Sequence, residues 1–164
     1  MKLFTAGRRN LEELTPRLER WLRKADPRFA SASLLSLRGA NDSAGQANET
    51  YLLTLSGVSG LAEEFPLILR TSSSLEYAYF PSCSVEKQYR VMTALSRNTD
   101  LPVPNCFLFQ PPGDMFDAPY FLMDRIDGQI PGDNPRYTVK GWIADGEPSL
   151  QRQFWDRTIH CLVL

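Results

Sequence analysis

A single histidine, three scattered cysteines and no long apolar run set the first limits on this 164-residue chain. Cys83, Cys106 and Cys161 are odd in number, and no pair has CxxC or metal-ligand spacing. Neither a disulfide scaffold nor a zinc site is therefore expected. Free thiols suit a reducing compartment, so the expected location is the cytoplasm. The opening MKLFTAGRRN has no apolar leader core, and nothing approaches the ~18 consecutive apolar residues that span a bilayer. No membrane partner is expected. Charge of either sign is also not in excess: 18 Lys and Arg stand against 19 Asp and Glu, a net charge of −1. Without surplus cations to neutralise phosphates, nucleic acid is not an expected partner. Arg17, Arg20, Arg23 and Lys24 do cluster, but Glu12, Glu13 and Glu19 are mixed among them, which is the pattern of a solvated helix face.

Hydrophobic residues at 43% and charged residues at 23% give a globular balance, and the length suits one ordinary domain. Leu11, Leu14, Leu18, Trp21 and Leu22 recur at helical spacing, which predicts an amphipathic helix over about 10–24. Asp26-Pro27 ends it, because the residue before proline is pushed out of helical geometry. Residues 33–38 (SLLSLR), the ETYLLTLS run and 65–71 (FPLILRT) read as three strands. They are joined by the turn-rich GANDSAGQAN and by 57–64, so they form an antiparallel meander. Val85, Tyr89, Met92 and Leu95 then mark one face of a helix over 84–95, with Ser84 as its N-cap. Leu101-Pro-Val-Pro104 is a stiff extended connector. Residues 106–109 and 120–126 read as two further strands around a PPGD turn. The expected fold is α+β: a five-stranded antiparallel sheet with a flanking helix, preceded by the N-terminal helix. The division expected is 1–30 for that first helix, 31–127 for the sheet lobe, and 128–164 for a Gly/Pro-rich linker and a last helix. That helix carries Leu150, Phe154, Trp155, Ile159, Leu162 and Val163 and ends on HCLVL with no stop signal. Its apolar face is expected to need a partner, which makes it a candidate for self-association.

Several residues carry chemistry on their own terms. Gly45 in a hairpin lets backbone N–H groups approach phosphate oxygens, and the Asn48 amide can donate to the same oxygens. The same string also makes an ordinary Asn/Gly hairpin. Arg70 closes an apolar strand, where a fixed cation can hold phosphates or simply sit at the surface. Leu122 and Met123 suit the walls of an apolar slot or of a plain core.

Four segments, in order, resemble the aminoglycoside phosphotransferase and choline-kinase-like family. GQANETYLL at 45–53 is similar to the family's G-x-S-N-x-T-Y-x-L hairpin, and LILR at 67–70 to the strand with the basic phosphate contact. QYRVMTAL at 88–95 with LPVP at 101–104 resembles E-Y-R-V-L-x-x-L followed by P-V-P. APYFLMDRIDG at 118–128 resembles the hinge P-F-x-x-M-x-x-x-x-G. The resemblance covers roughly residues 34 to 142 and implies a protein-kinase-like N-terminal lobe. It further implies ATP with Mg²⁺ as cofactor, a small-molecule hydroxyl as acceptor of unstated identity, and a nucleotide site at Gly45, Gln46, Asn48, Arg70, Gln88, Met123 and Asp124. Gln88 departs from the pattern by standing where the family has the glutamate that pairs with the basic strand residue. Glu86 is two residues, about 200° of helical rotation, away from it. The family's H-G-D-x-x-x-x-N loop and its later metal-binding Asp segment do not occur in the chain, and His160 is followed by Cys161. No catalytic and no metal residues are therefore assigned, Asp124, Asp127 and Asp133 included. The expectation is a nucleotide-holding portion that stops short of its chemistry. The other readings are a stand-alone α+β protein-interaction module and a regulatory pseudo-kinase.

Overall fold

A computed structural model describes residues 10–40, 48–72, 84–113, 115–132 and 135–163. The described chain begins with α1 (Leu11–Ala25), where the Asn10 side chain accepts from the Glu12 N–H at 3.0 Å. Glu12 and Glu13 lie in the first turn and Arg23 and Lys24 in the last, matching the helix dipole. The helix runs through Pro16 and stops at Asp26, whose backbone is extended. A 3-10 turn over Pro27–Phe29 follows, which sequence periodicity did not reveal because it is shorter than one period.

Five strands come next among the described residues: β1 (Ser33–Gly39), β2 (Asn48–Ser56), β3 (Phe65–Ser72), β4 (Cys106–Gln110) and β5 (Tyr120–Asp124). Helix α2 (Val85–Asn98) sits between β3 and β4, and α3 (Pro148–Val163) ends the described chain. The sheet is antiparallel throughout, in the order β1-β2-β3-β5-β4. The fold is α+β, as the sequence pattern predicts. The turn after β2 uses Gly57 at φ +69, where an added Cβ would stand 2.7 Å from the Ser31 carbonyl oxygen. Both the left-handed backbone and the close approach demand glycine there.

Strand alternation assigns the two faces of the sheet. One face holds Tyr51, Leu53, Leu55, Leu67, Leu69, Tyr120 and Leu122, all buried, beneath Leu14, Leu18 and Leu22 of α1. The first helix is thus part of the sheet's core. The other face holds Thr50, Leu52, Ile68, Arg70, Phe121 and Met123. Helix α2 covers part of it, with Tyr89 stacked on Phe109 at 5.2 Å and tilted over Phe121 at 5.6 Å.

Two strand details differ from the sequence expectation. Strand β5 ends at Asp124 rather than near residue 126. The next rung would oppose Pro66 of β3, which has no N–H to donate. In β4 the register shifts between Phe107 and Gln110, and Leu108 takes φ +51, so the edge strand bulges. No residue of α3 is buried: its Phe154 ring meets Tyr137 and Trp142, while Trp155 and Leu162 are exposed.

Replacing Leu18, which is fully buried, by Ala should lower unfolding free energy by about 2–5 kcal/mol through transfer loss and a cavity. Leu35→Ala, at an exposed position, should change it by no more than about 0.5 kcal/mol. Urea unfolding followed by far-ultraviolet circular dichroism checks both. Equal effects would mean that α1 is not packed on the sheet.

Candidate functional site

The register brings together residues that are distant in sequence. Asn48 opposes Ser72, Thr50 opposes Arg70, and Leu52 opposes Ile68, so all six share the face away from α1. Across β3 the same face continues into β5, where Arg70 opposes Phe121 and Ile68 opposes Met123. From the Asn48–Ser72 rung to the Ile68–Met123 rung is four residues, about 14 Å of strand. Asn48 therefore lies toward one end of a continuous surface, Arg70 and Phe121 on the middle rung, and Leu52, Ile68 and Met123 together on the rung at the other end. Gly45 and Gln46 lie outside the described residues.

Asn48 is the unusual member. It is buried, at 6% exposure, and neither its Nδ2 nor its Oδ1 has a hydrogen-bond partner among the described residues. A buried polar group left unpaired costs about 1–3 kcal/mol, and most such groups in folded proteins are satisfied. Every other side chain in β2 is either apolar, paired or partly exposed. An amide has two donor hydrogens and an acceptor oxygen, so it suits a ligand with both polar senses.

Gln88 projects from α2, the helix that covers this same face of β3 and β5. Its Oε1 is buried and without a hydrogen-bond partner. Glu86 is engaged elsewhere, pairing with Arg90 at 2.6 Å along the exposed side of the helix. Its turn away from the sheet follows from the helical rotation that separates it from Gln88. The Asn48 amide on β2 and the Gln88 side-chain oxygen on α2 are thus buried without partners on the elements that border Arg70's strand.

Asp124 has a different situation from Met123. It opposes Leu67, so it shares the α1-side face, and its carboxylate accepts from Asn105 Nδ2 at 2.8 Å. Its N–H donates to the Asn105 carbonyl at 3.0 Å. Asp124 is thereby committed to the protein itself, and Asn105 is a partner that sequence reasoning missed. No motif marks Asn105, because the contact joins residues that only the β4–β5 pairing brings together. Thr50, Leu52, Ile68 and Phe121 were also missed as site neighbours, although the alternation of the ETYLLTLS and LILR runs puts them on one face.

Cys106 opposes Met123 across β4 and β5. Burial pushes its thiol up to about 11, and the nearby Asp124 carboxylate adds to the rise. A thiol held protonated is a poor nucleophile, so Cys106 is a packing residue. Among the described residues no group of three or more His, Cys, Asp or Glu could hold a metal ion. No described helix is long and apolar enough to cross a membrane.

Because the folded thiol titrates above its ordinary value of 9.0, its contribution to stability is complete below about 9 and is lost as pH rises toward 11. Cys106 should alkylate slowly at about pH 8, and Asp124→Asn should lower its pKa while leaving it above 9.0, since burial is the larger cause. Peptide-resolved mass spectrometry after iodoacetamide treatment over a pH series tests this. Reaction of Cys106 at the rate of a free thiol near pH 8 would contradict it.

No protein-family model matches the chain. Among solved structures, one similar chain is from Ralstonia eutropha JMP134 and carries the provisional name aminoglycoside phosphotransferase. The two share 26% identity at a TM-score of 0.48, over 70% of this chain and 28% of that one. The chain therefore spans little more than a quarter of that neighbour's length. A likeness at that TM-score is too loose to define an activity.

Proposed function

We propose that this chain is the nucleotide-holding lobe of a kinase-like phosphotransferase that acts on a small-molecule hydroxyl. The observation that carries the reading is Asn48, buried with both amide atoms unpaired, two residues from the Arg70 rung. A phosphate chain presents acceptor oxygens, and an amide N–H₂ beside a guanidinium is a suitable donor set for them. The apolar stretch over Leu52, Ile68 and Met123 offers a flat surface for a base, at a distance along the sheet comparable with an extended nucleoside triphosphate. The four segments that resemble the aminoglycoside phosphotransferase family fall on these same elements, which supports the reading from a separate direction.

ATP is the nucleotide that the family resemblance favours. The described residues do not fit Mg²⁺, because no carboxylate cluster among them is available to it. Phosphoryl transfer requires a residue to orient the acceptor and acidic residues to hold metal, and the strings that would supply them do not occur in the sequence. The chain by itself is proposed to bind and not to catalyse, and to work in the cytoplasm. A second reading, an interaction module, rests on α3: Trp155, at 60% exposure, and Leu162, at 78%, belong to a helix with no buried residue. On that reading the helix mediates self-association.

The two roles of Asn48 separate experimentally. Asn48→Leu removes an unsatisfied buried amide, so the ligand-free protein should be as stable as the parent or more so by about 1 kcal/mol. The same change should weaken ADP and ATP binding at least about tenfold, and Arg70→Ala should do likewise. Isothermal titration with thermal unfolding checks the pair. Unchanged affinity in Asn48→Leu, or no nucleotide binding by the parent chain, would refute the assignment.

A further inference from the structure

A line of side-chain hydrogen bonds joins the last turn of α2 to the exit of β5, and it lies on neither the α1 core nor the proposed nucleotide surface. Ser96 Oγ donates to Asn105 Oδ1 at 3.0 Å. Asn105 Nδ2 donates to Asp124 Oδ2 at 2.8 Å, and Asp124 N–H donates back to the Asn105 carbonyl at 3.0 Å. The segment between them is short and stiff. Thr99 Oγ1 donates to the Leu95 carbonyl at 2.7 Å, and Val103 N–H donates to the Leu101 carbonyl at 2.8 Å. Pro102 and Pro104 fix their own φ angles on either side of Val103.

We propose that Asn105 is a positioning residue, a latch that makes α2 and the exit of β5 move as one body. The amide suits this task because it accepts from one element through Oδ1 and donates to the other through Nδ2 at the same time. Its bond to Asp124 is charge-assisted, which makes it the stronger of the two links. Asp124 opposes Leu67 and so shares the face away from Met123 and Ile68. The latch therefore cannot touch a molecule on the Met123 surface. It acts through the main chain at the point where β5 leaves the sheet. The consequence for binding rests on the nucleotide reading above: the latch sets Gln88 on α2 and the base-holding end of β5 in a fixed relation. The coupling itself does not depend on that reading.

A reversal of the pair tests the latch. Asn105→Asp alone places two carboxylates at the 2.8 Å contact and should break it. Adding Asp124→Asn returns one donor and one acceptor in exchanged positions, while the new carboxylate at position 105 still accepts from Ser96. ADP is the probe. Asn105→Asp should bind it about tenfold more weakly, Asn105→Ala about fivefold, and the double variant within about twofold of the parent. All three should melt close to the parent, since the contact is exposed. A purely structural role would lower the melting temperature without this pattern of loss and rescue. Parental affinity in Asn105→Asp, or a double variant no better than the single, overturns the proposal. If the parent chain itself binds no ADP, the nucleotide reading fails and amide hydrogen exchange of the ligand-free chain decides the latch. Asn105→Asp should then speed exchange in both the last turn of α2 and β5, with recovery in the double variant. Faster exchange in one of the two segments alone, or in neither, overturns it.

Discussion

Burial of Leu67 and Leu69 in β3, under Leu14, Leu18 and Leu22 of α1, is the constraint on which the rest of the molecule depends. Strand side chains alternate strictly, so fixing those two leucines on the helix side forces Ile68 and Arg70 to the other. A slip of one residue would exchange the two sets, placing a guanidinium under α1 and exposing two leucines. Hydrophobic burial therefore sets the position of the charge. Strands β2 and β5, which flank β3, inherit the choice through their register. That is how Asn48 and Thr50 from one side, and Phe121 and Met123 from the other, arrive on a common face.

With one face sealed by α1, the opposite face is only partly covered. Helix α2 packs there through Tyr89, whose ring meets Phe109 and Phe121. It brings Gln88 over the same face without a partner for its buried oxygen. On the nucleotide reading these unsatisfied amides are the counterpart of a ligand, since a core free to choose would have used apolar residues. Asp124 and Cys106, which flank Met123, are by contrast used by the protein itself.

Local elements were legible in the sequence where a period could be read. The leucines of α1, the alternating ETYLLTLS and the spacing of Val85, Tyr89 and Met92 each fixed an element to within a few residues. Arg70 and Asn48 were recognisable as candidates because a polar residue at the end of an apolar strand stands out. What could not be read was non-local. Insertion of β5 between β3 and β4 follows from packing rather than from any string, and with it came the Asn105–Asp124 contact. The bulge at Leu108 reflects edge geometry, and the early end of β5 reflects a proline on a different strand. The last helix read as amphipathic, but its sequence alone does not say what lies against it.

The central claim is that the face of Asn48, Arg70 and Met123 receives a nucleotide. Its most direct test is a heteronuclear NMR titration of the isotopically labelled chain with ADP. The nucleotide reading predicts large shifts of the Asn48 side-chain amide and of the Thr50, Arg70 and Met123 backbone signals, with Leu14 and Leu18 unmoved. An unchanged spectrum, or shifts confined to α1 or α3, would contradict it.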